Sequence, residues 1–159
     1  MRQAEILHQL KALNIDYEVI SHPPLFHAGD ADKYGVKLKC TSSKCLILTN
    51  KNQSHFYAVI LPLTEKLNIK TLQFITNEKN LHLADATSIL QIFHVTIGSV
   101  SLLSLFSADK NNITIFVHSA ILSADKVGFI PNDNTATVIF NAAHIKTILN
   151  AITINWQEL

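Results

Sequence analysis

Apolar residues recur every three or four positions in several segments, and this spacing predicts helices. The first lies over residues 3–13, where leucine and isoleucine form one stripe. Two more are predicted over residues 68–76 and 86–94, the second with Asp85 as its N-cap. A closing helix is predicted after Asn141, a residue type that also caps helices well.

Other segments carry β-branched and aromatic residues without a helical period, and these predict strands. The polar residues 50–53 separate two such runs, which predicts a hairpin. His22-Pro23-Pro24 stops the first strand, and a short helix over residues 28–36 is predicted to end near Gly35. The predicted strands are 17–20, 45–49, 56–61, 113–117, 128–130 and 135–140.

The order of these elements lacks the regular alternation of strand and helix that is typical of a doubly wound parallel sheet. We therefore expect a mixed α/β (α+β) fold with a largely antiparallel central sheet surrounded by helices. A chain of 159 residues is long enough for one stable core, and no linker or repeat interrupts it. We expect a single domain over residues 1–159.

The composition excludes several classes of protein. With 48% hydrophobic and 16% charged residues the chain is too apolar for disorder, and its net charge of +1 does not favour binding to long duplex DNA. No apolar run approaches the roughly eighteen residues of a membrane span, and Cys40 and Cys45 form no disulfide framework. These features predict a cytoplasmic protein.

Four short segments follow one another along nearly the whole chain. They are LNIDYE with HPP (13–18 and 22–24), SKCLIL with FYAV (43–48 and 56–59), GSVS (98–101) and PNDNTAT (131–137). In wording and order they resemble the YbaK or prolyl-tRNA-synthetase-associated editing family, and the second is most similar to its freestanding deacylases of the ProX type.

The resemblance implies a fold and an activity. Its members have a curved sheet and hydrolyse the ester that joins an amino acid to the terminal ribose of tRNA, without a metal or an organic cofactor. They correct errors that a synthesis pocket cannot avoid, since similar small side chains differ in binding by only about 1–3 kcal/mol. We expect a trans-acting deacylase for a small amino acid such as alanine on proline tRNA. The expected partners are the acceptor end of aminoacyl-tRNA and an aminoacyl-tRNA synthetase.

Lys44 is the predicted catalytic residue. The resemblance implies that the matching lysine is the essential side chain of the family. An ammonium group can hold a phosphate or polarise the ester carbonyl as negative charge develops there. Taken alone, Lys44 would be interpreted as a solvated surface lysine. With Lys37 and Lys39 it also forms a small basic cluster along the expected path of the acceptor-stem phosphates.

A predicted ligand-binding loop begins at Gly98, where a missing Cβ lets a ligand approach the backbone. The N–H groups of Ser99, Val100 and Ser101 are predicted to hold the terminal adenosine or the developing oxyanion. The alternative is a glycine that only ends a helix. Leu102 stands where the family usually has a proline, so the rigidity of the loop is an open question.

Further residues are predicted to line the substrate pocket because they flank the motifs. Cys45 stands in place of the usual asparagine and Ile130 in place of a histidine, which favours a more apolar pocket or a loss of activity. His27 is interpreted as a pocket residue and not as a general base. The predicted pocket residues outside the glycine loop are His22, Phe26, His27, Cys45, Ile130 and Pro131.

Four other interpretations remain open at this point. His22, His27, Cys40 and Cys45 could be zinc ligands, although their spacing fits no usual pair. Cys45 could be a nucleophile, although no histidine is paired with it in the sequence. The chain could also be a non-catalytic module that binds tRNA ends or a synthetase, or a small-molecule binder that only retains the fold.

Overall fold

The computed structural model describes residues 1–27 and 29–159. The helices are short and lie on both sides of one sheet. They are α1 (Gln3–Ala12), α2 (Asp30–Lys33), α3 (Ile69–Thr76), α4 (Ala86–Phe93), α5 (Ser119–Leu122) and α6 (Ile145–Ile152), with 3-10 helices at Leu102–Phe106 and Ala142–His144. The helix predicted over residues 28–36 begins outside the described residues, and its described part is α2.

The strands form one mixed sheet. They are β1 (Tyr17–Ser21), β2 (Thr41–Asn50), β3 (Phe56–Pro62), β4 (Leu81–Leu83), β5 (Ile113–Val117), β6 (Lys126–Phe129), β7 (Ala136–Asn141) and β8 (Asn155–Glu158). Their order is β1-β7-β6-β2-β3-β5-β8, and β4 pairs with β2 beside that path.

The pairings confirm a mixed α/β fold with helices around the sheet. Strand β2 is antiparallel to β3 and β4, and β7 is antiparallel to β1 and β6. The pairs β2–β6, β3–β5 and β5–β8 are parallel, so the antiparallel pairings predominate by four to three. The predicted hairpin is confirmed by the register from Ser43↔Pro62 to Thr49↔Phe56.

Apolar side chains bury both faces of the sheet. The larger cluster includes Leu10 of α1, Phe93 of α4 and Ile148 of α6, whose side chains are fully buried. The smaller cluster covers the opposite face and includes Leu72 of α3 and Phe116 of β5. Among the described residues, no helix combines the length and the apolar character needed to cross a membrane.

The helix caps agree in part with the sequence. The carboxylate of Asp85 accepts a hydrogen bond from the backbone N–H of Ser88 at 2.8 Å, which confirms it as the N-cap of α4. Asn141 also caps, but it accepts from Ala143 N–H and begins the 3-10 turn that precedes α6. The structure therefore starts the closing α-helix one turn later than predicted, at Ile145.

Strand β2 is the junction of the sheet, because one of its edges has two different neighbours. Strand β6 pairs with it only at Thr41 and Ser42, and β4 pairs with it only at Leu48, Thr49 and Asn50. Within the described residues, no strand covers this edge over residues 43–47. The middle of β2 is therefore an open edge inside an otherwise continuous sheet.

Candidate active site

A cavity of about 340 Å³ lies at the open edge of β2. Residues 43–46 of β2 form its floor, and the turn that includes Gly98 closes one side. Gly128 and Thr137 contribute a second wall from β6 and β7. The segment between β1 and β2 covers the cavity with Leu25, Phe26, His27, Gly29, Ala31 and Leu38.

Lys44 reaches this cavity because of its position on β2. Side chains alternate along a strand, so Lys44 and Leu46 leave one face while Ser43 and Cys45 leave the other. All four line the cavity, which lies where the sheet is open at this edge. Lys44 is half-buried, and its side chain borders the cavity.

The cavity has a positive bias. Lys44 supplies one charge, and none of the described residues that line the cavity is an acid. His27 stands at the mouth beside Phe26, whose side chain is 72% exposed. Both residues are held by Asp30, whose carboxylate accepts from the backbone N–H groups of Phe26 at 2.8 Å and His27 at 2.9 Å. The bonds from His27 and Phe26 lower the pKa of Asp30 below its ordinary value.

The turn at Gly98 borders the cavity. Gly98 has φ +87°, a left-handed conformation that favours glycine, and a Cβ built there meets nothing within 4 Å. The turn is closed by the N–H of Ser99, which donates to the carbonyl of Thr96 at 3.0 Å. Open space beside Gly98 therefore lets a ligand approach the backbone at this point.

The expectation of three ligand-binding N–H groups needs correction. The N–H of Ser99 is used within the turn, and that of Ser101 donates to the hydroxyl of Ser104 at 2.9 Å. Of the three, only the N–H of Val100 lacks an acceptor among the described residues. Val100 and Ser101 line the cavity, whereas Ser99 does not.

The loop after Gly98 is held by hydrogen bonds in place of the usual proline. The hydroxyl of Ser101 donates to the carbonyl of Ile130 at 2.6 Å, and that of Ser104 donates to the side-chain carbonyl of Asn132 at 2.6 Å. Leu102 is fully buried in the larger apolar cluster and begins a 3-10 helix, so it supports the loop but does not reach the cavity. These contacts tie the loop to the segment after β6.

His22 lies behind the wall and not on its surface. Its ring is buried, with Nδ1 2.9 Å from the carbonyl of Pro23 and Nε2 2.8 Å from the hydroxyl of Thr137. Pro131 is also buried outside the lining, whereas its neighbour Ile130 borders the cavity. Contact of His22 or Pro131 with a ligand is therefore indirect, through the residues that they support.

Cys45 lines the cavity as a neutral thiol. Burial raises its pKa to about 12, so almost no thiolate exists near neutral pH. A nucleophilic cysteine needs a lowered pKa, and this environment does the opposite. Within residues 1–27 and 29–159, no group of three or more His, Cys, Asp and Glu side chains is placed to hold a metal ion.

Two residues that the sequence analysis did not select shape the second wall. Gly128 accepts a hydrogen bond from the hydroxyl of Ser43 at 2.7 Å, which joins β6 to β2 beyond their last paired residues. Thr137 pairs with the ring of His22. Thr137 is the last residue of the PNDNTAT segment, so the motif indicated its place near the site. No sequence pattern around Gly128 indicates that it lines the cavity.

A family model decides the classification. The model of the aminoacyl-tRNA editing domain matches residues 15–148, which include β1 to β7 and the cavity. The chain belongs to this family. The match spans most of the chain and confirms the resemblance seen in the four motifs.

Two proteins and one solved structure illustrate what this editing domain is similar to. It is 32% identical to prolyl-tRNA synthetase associated domain-containing protein 1 of Mus musculus, over 86% of this chain and 82% of the mouse protein. It is 23% identical to the prolyl-tRNA editing protein ProX of Acetoanaerobium sticklandii, over 92% and 89% of the two chains. A crystal structure described as a candidate trans-editing enzyme for prolyl-tRNA synthetase superposes with a TM-score of 0.70 at 13% identity, covering 99% and 96%. At this identity the similarity to the solved structure shows a shared fold.

Proposed function

We propose that this editing domain is a trans-acting deacylase that hydrolyses the ester of mischarged tRNA, with a small amino acid such as alanine on proline tRNA as substrate. One observation carries the proposal: Lys44 and the turn at Gly98 border the same cavity, which has no acidic lining residue among those described. Membership of the editing-domain family implies an aminoacyl-tRNA substrate. The similar ProX protein is named for prolyl-tRNA editing.

The geometry suits ester hydrolysis in which charge develops on the carbonyl oxygen. The ammonium group of Lys44 donates to that oxygen or to the terminal phosphate, and the N–H of Val100, another lining residue, is available as a second donor. Water adds to the carbonyl carbon, the bond to the ribose oxygen breaks, and that oxygen takes a proton. The resemblance implies that the vicinal hydroxyl of the substrate assists the water. The neutral thiol of Cys45 takes no covalent part.

The size and lining of the cavity favour a small amino acid. Ligand cavities usually measure about 300–1,000 Å³, and this one is near the lower limit. Leu46, Val100 and Ile130 give it apolar walls, which suit a methyl side chain. We expect alanine to be removed faster than larger residues, and by a modest factor, because apolar pockets separate side chains that differ by one methylene by about 1–3 kcal/mol.

The test is deacylation of proline tRNA charged in turn with alanine, serine, threonine, cysteine and proline. Wild-type protein should remove alanine fastest, and Lys44→Ala should lower kcat/KM by about 10² to 10³, the usual cost of losing a donor to a developing oxyanion. Lys51→Ala is the matched control, since Lys51 is exposed at the hairpin turn. Full activity in Lys44→Ala would refute the assigned role of the ammonium group.

A second candidate is a module that binds tRNA ends or a synthetase without turnover. It is favoured by the residues at the cavity that replace polar groups of the family, Cys45 and Ile130. It predicts that the protein retains alanyl-tRNA on a filter without deacylating it. Rapid turnover of any ester in the panel would exclude this candidate.

A further inference from the structure

Three of the four hydroxyl groups that line the cavity, those of Ser43, Ser101 and Thr137, are oriented alike in their hydrogen bonds; the fourth belongs to Ser42. Ser43 donates its hydrogen to the carbonyl of Gly128 at 2.7 Å, and Ser101 donates to that of Ile130 at 2.6 Å. A hydroxyl has one hydrogen to donate and two lone pairs that accept. Each of these two cavity-lining hydroxyls can therefore only accept a hydrogen bond from a ligand. Ser101 has one lone pair left for this, because its oxygen already accepts from the N–H of Leu103 at 3.1 Å.

The hydroxyl of Thr137 also donates its hydrogen away from a ligand, because it is bonded to the ring of His22. A carbonyl cannot donate, so the ring atom Nδ1, which lies 2.9 Å from the carbonyl of Pro23, carries the hydrogen. In the neutral ring Nε2 then has a lone pair, and the hydroxyl of Thr137 donates to it at 2.8 Å. Both side chains are buried, which keeps this orientation fixed.

The cavity thus offers one strong donor and several acceptors in separate places. Lys44, on β2, can only donate. The hydroxyl oxygens of Ser43, Ser101 and Thr137 can only accept. A complementary ligand has an oxygen that accepts from the ammonium group and a donor for the hydroxyl oxygens. An aminoacyl ester has both, because its α-ammonium group is a donor that a single carbon separates from the carbonyl.

We propose that Thr137 accepts a hydrogen bond from the α-ammonium group of the aminoacyl ester and that His22 is the positioning residue that orients it. This inference rests on the proposed function, because it assigns one part of the same substrate. It also explains how the cavity recognises an amino group although Cys45 and Ile130 replace the polar side chains expected there. Thr137 is thereby a specificity-determining residue for substrates with a free amine.

The test compares alanyl-tRNA with N-acetylalanyl-tRNA in wild type and in Thr137→Val, which removes the hydroxyl and keeps the shape. Loss of a hydrogen bond to a charged group should lower kcat/KM for the free amine about tenfold to a hundredfold, with little change for the acetylated ester. Thr114→Val is the matched control, because Thr114 makes the same 2.8 Å contact with a histidine ring, His55, outside the cavity. It should leave both rates unchanged.

The positioning role of His22 is tested by two substitutions whose amide side chains differ in length. His22→Asn replaces the group at Nδ1 but no longer reaches Thr137, whereas His22→Gln places an amide oxygen near the former Nε2. We expect His22→Asn to reduce the preference for the free amine and His22→Gln to restore part of it. A purely structural role would lower the rates for both esters by the same factor, and that result would overturn the inference.

A binding measurement separates this inference from the proposed function. The probe is adenosine with alanine in a non-hydrolysable 3′-amide bond, compared with its N-acetyl form by calorimetry. If wild type binds the free amine more tightly and Thr137→Val abolishes that preference, the inference holds even for a protein without turnover. If Thr137→Val keeps the full preference, the inference is wrong, whatever the deacylation assay shows.

Discussion

Gly128 is the residue at which a single added methyl group should disturb both the fold and the cavity. Its backbone lies in β6 between β2 and β7. A Cβ at this position would lie 2.7 Å from the sulfur of Cys40 and 2.9 Å from the methyl group of Thr137. Both distances are shorter than real Cβ contacts, so Gly128→Ala requires a neighbour to move.

The two neighbours differ in how easily they can move. The sulfur of Cys40 is the end of a half-buried side chain and can change rotamer. Thr137 is buried, belongs to β7 and is held by the ring of His22. Because inserting a methyl into packed surroundings typically costs about 1–3 kcal/mol, we expect Gly128→Ala to lower the free energy of unfolding by that amount. Displacement of Thr137 should also slow deacylation of alanyl-tRNA.

The assay is urea unfolding followed by the fluorescence of Trp156, the one tryptophan of the chain. Cys40→Ala in the Gly128→Ala background removes the closer contact, so the double variant should recover part of the loss and reveal a coupling between the two sites. Cys40→Ala alone is the reference. A change below about 0.5 kcal/mol in Gly128→Ala, or no coupling with Cys40→Ala, would refute the reasoning.

Three further predictions concern the residues around the cavity. Ser104→Ala should cost about 1–3 kcal/mol in urea unfolding, because it leaves the buried N–H of Ser101 without a partner and removes the donor to the side-chain carbonyl of the half-buried Asn132. The pKa of Asp30 is lower in the folded protein than its ordinary value of 3.8, so the ionised carboxylate stabilises the fold above that value and the effect is lost as the pH falls through the folded pKa. The difference in urea midpoint between wild type and Asp30→Ala should therefore shrink from pH 7 to about pH 3. A difference that stays constant would contradict this. The pKa of Cys45 rises from 9.0 to about 12, so in a Cys40→Ser background it should react with iodoacetamide about a thousandfold more slowly at pH 8 than an ordinary thiol, and rapid labelling measured by mass spectrometry would contradict it.

The hairpin and the predicted helices that became α1, α3 and α4 agree with the structure because their signals are local. An apolar stripe with a capping residue defines α4, and the polar turn between β2 and β3 defines the hairpin. The missed elements have weak local signals. Strand β4 is three residues long, and in β8, of sequence NWQE, no residue is fully buried. Strand β8 is formed by parallel pairing with β5, about 40 residues earlier in the chain, which no local pattern reveals.

The candidate site also has one part that the sequence predicts and one part that depends on long-range contacts. Lys44 and Gly98 were selected because each lies in a motif, and their shared cavity is a result of the fold. The contacts that build the second wall join residues far apart in the chain. Ser43 and Gly128 are separated by 85 positions, and His22 and Thr137 by 115. Sequence patterns identify the residue types, but only the sheet order brings β2 and β7 to one cavity.

The position of the cavity follows from the way in which strand β2 changes neighbours. Strand β6 leaves it after Ser42, and β4 joins it at Leu48, so the polar groups on this edge of residues 43–47 need other partners. The hydroxyl of Ser43 closes one end by bonding Gly128, and the carbonyl of Ile47 closes the other by accepting from Ala84 N–H at 2.8 Å. What remains is a short edge at Lys44 to Leu46 that no strand covers and that borders the cavity. A ligand bound there contacts a strand that is paired with β3 along its other edge, so Lys44 is positioned by the sheet and not by a loop.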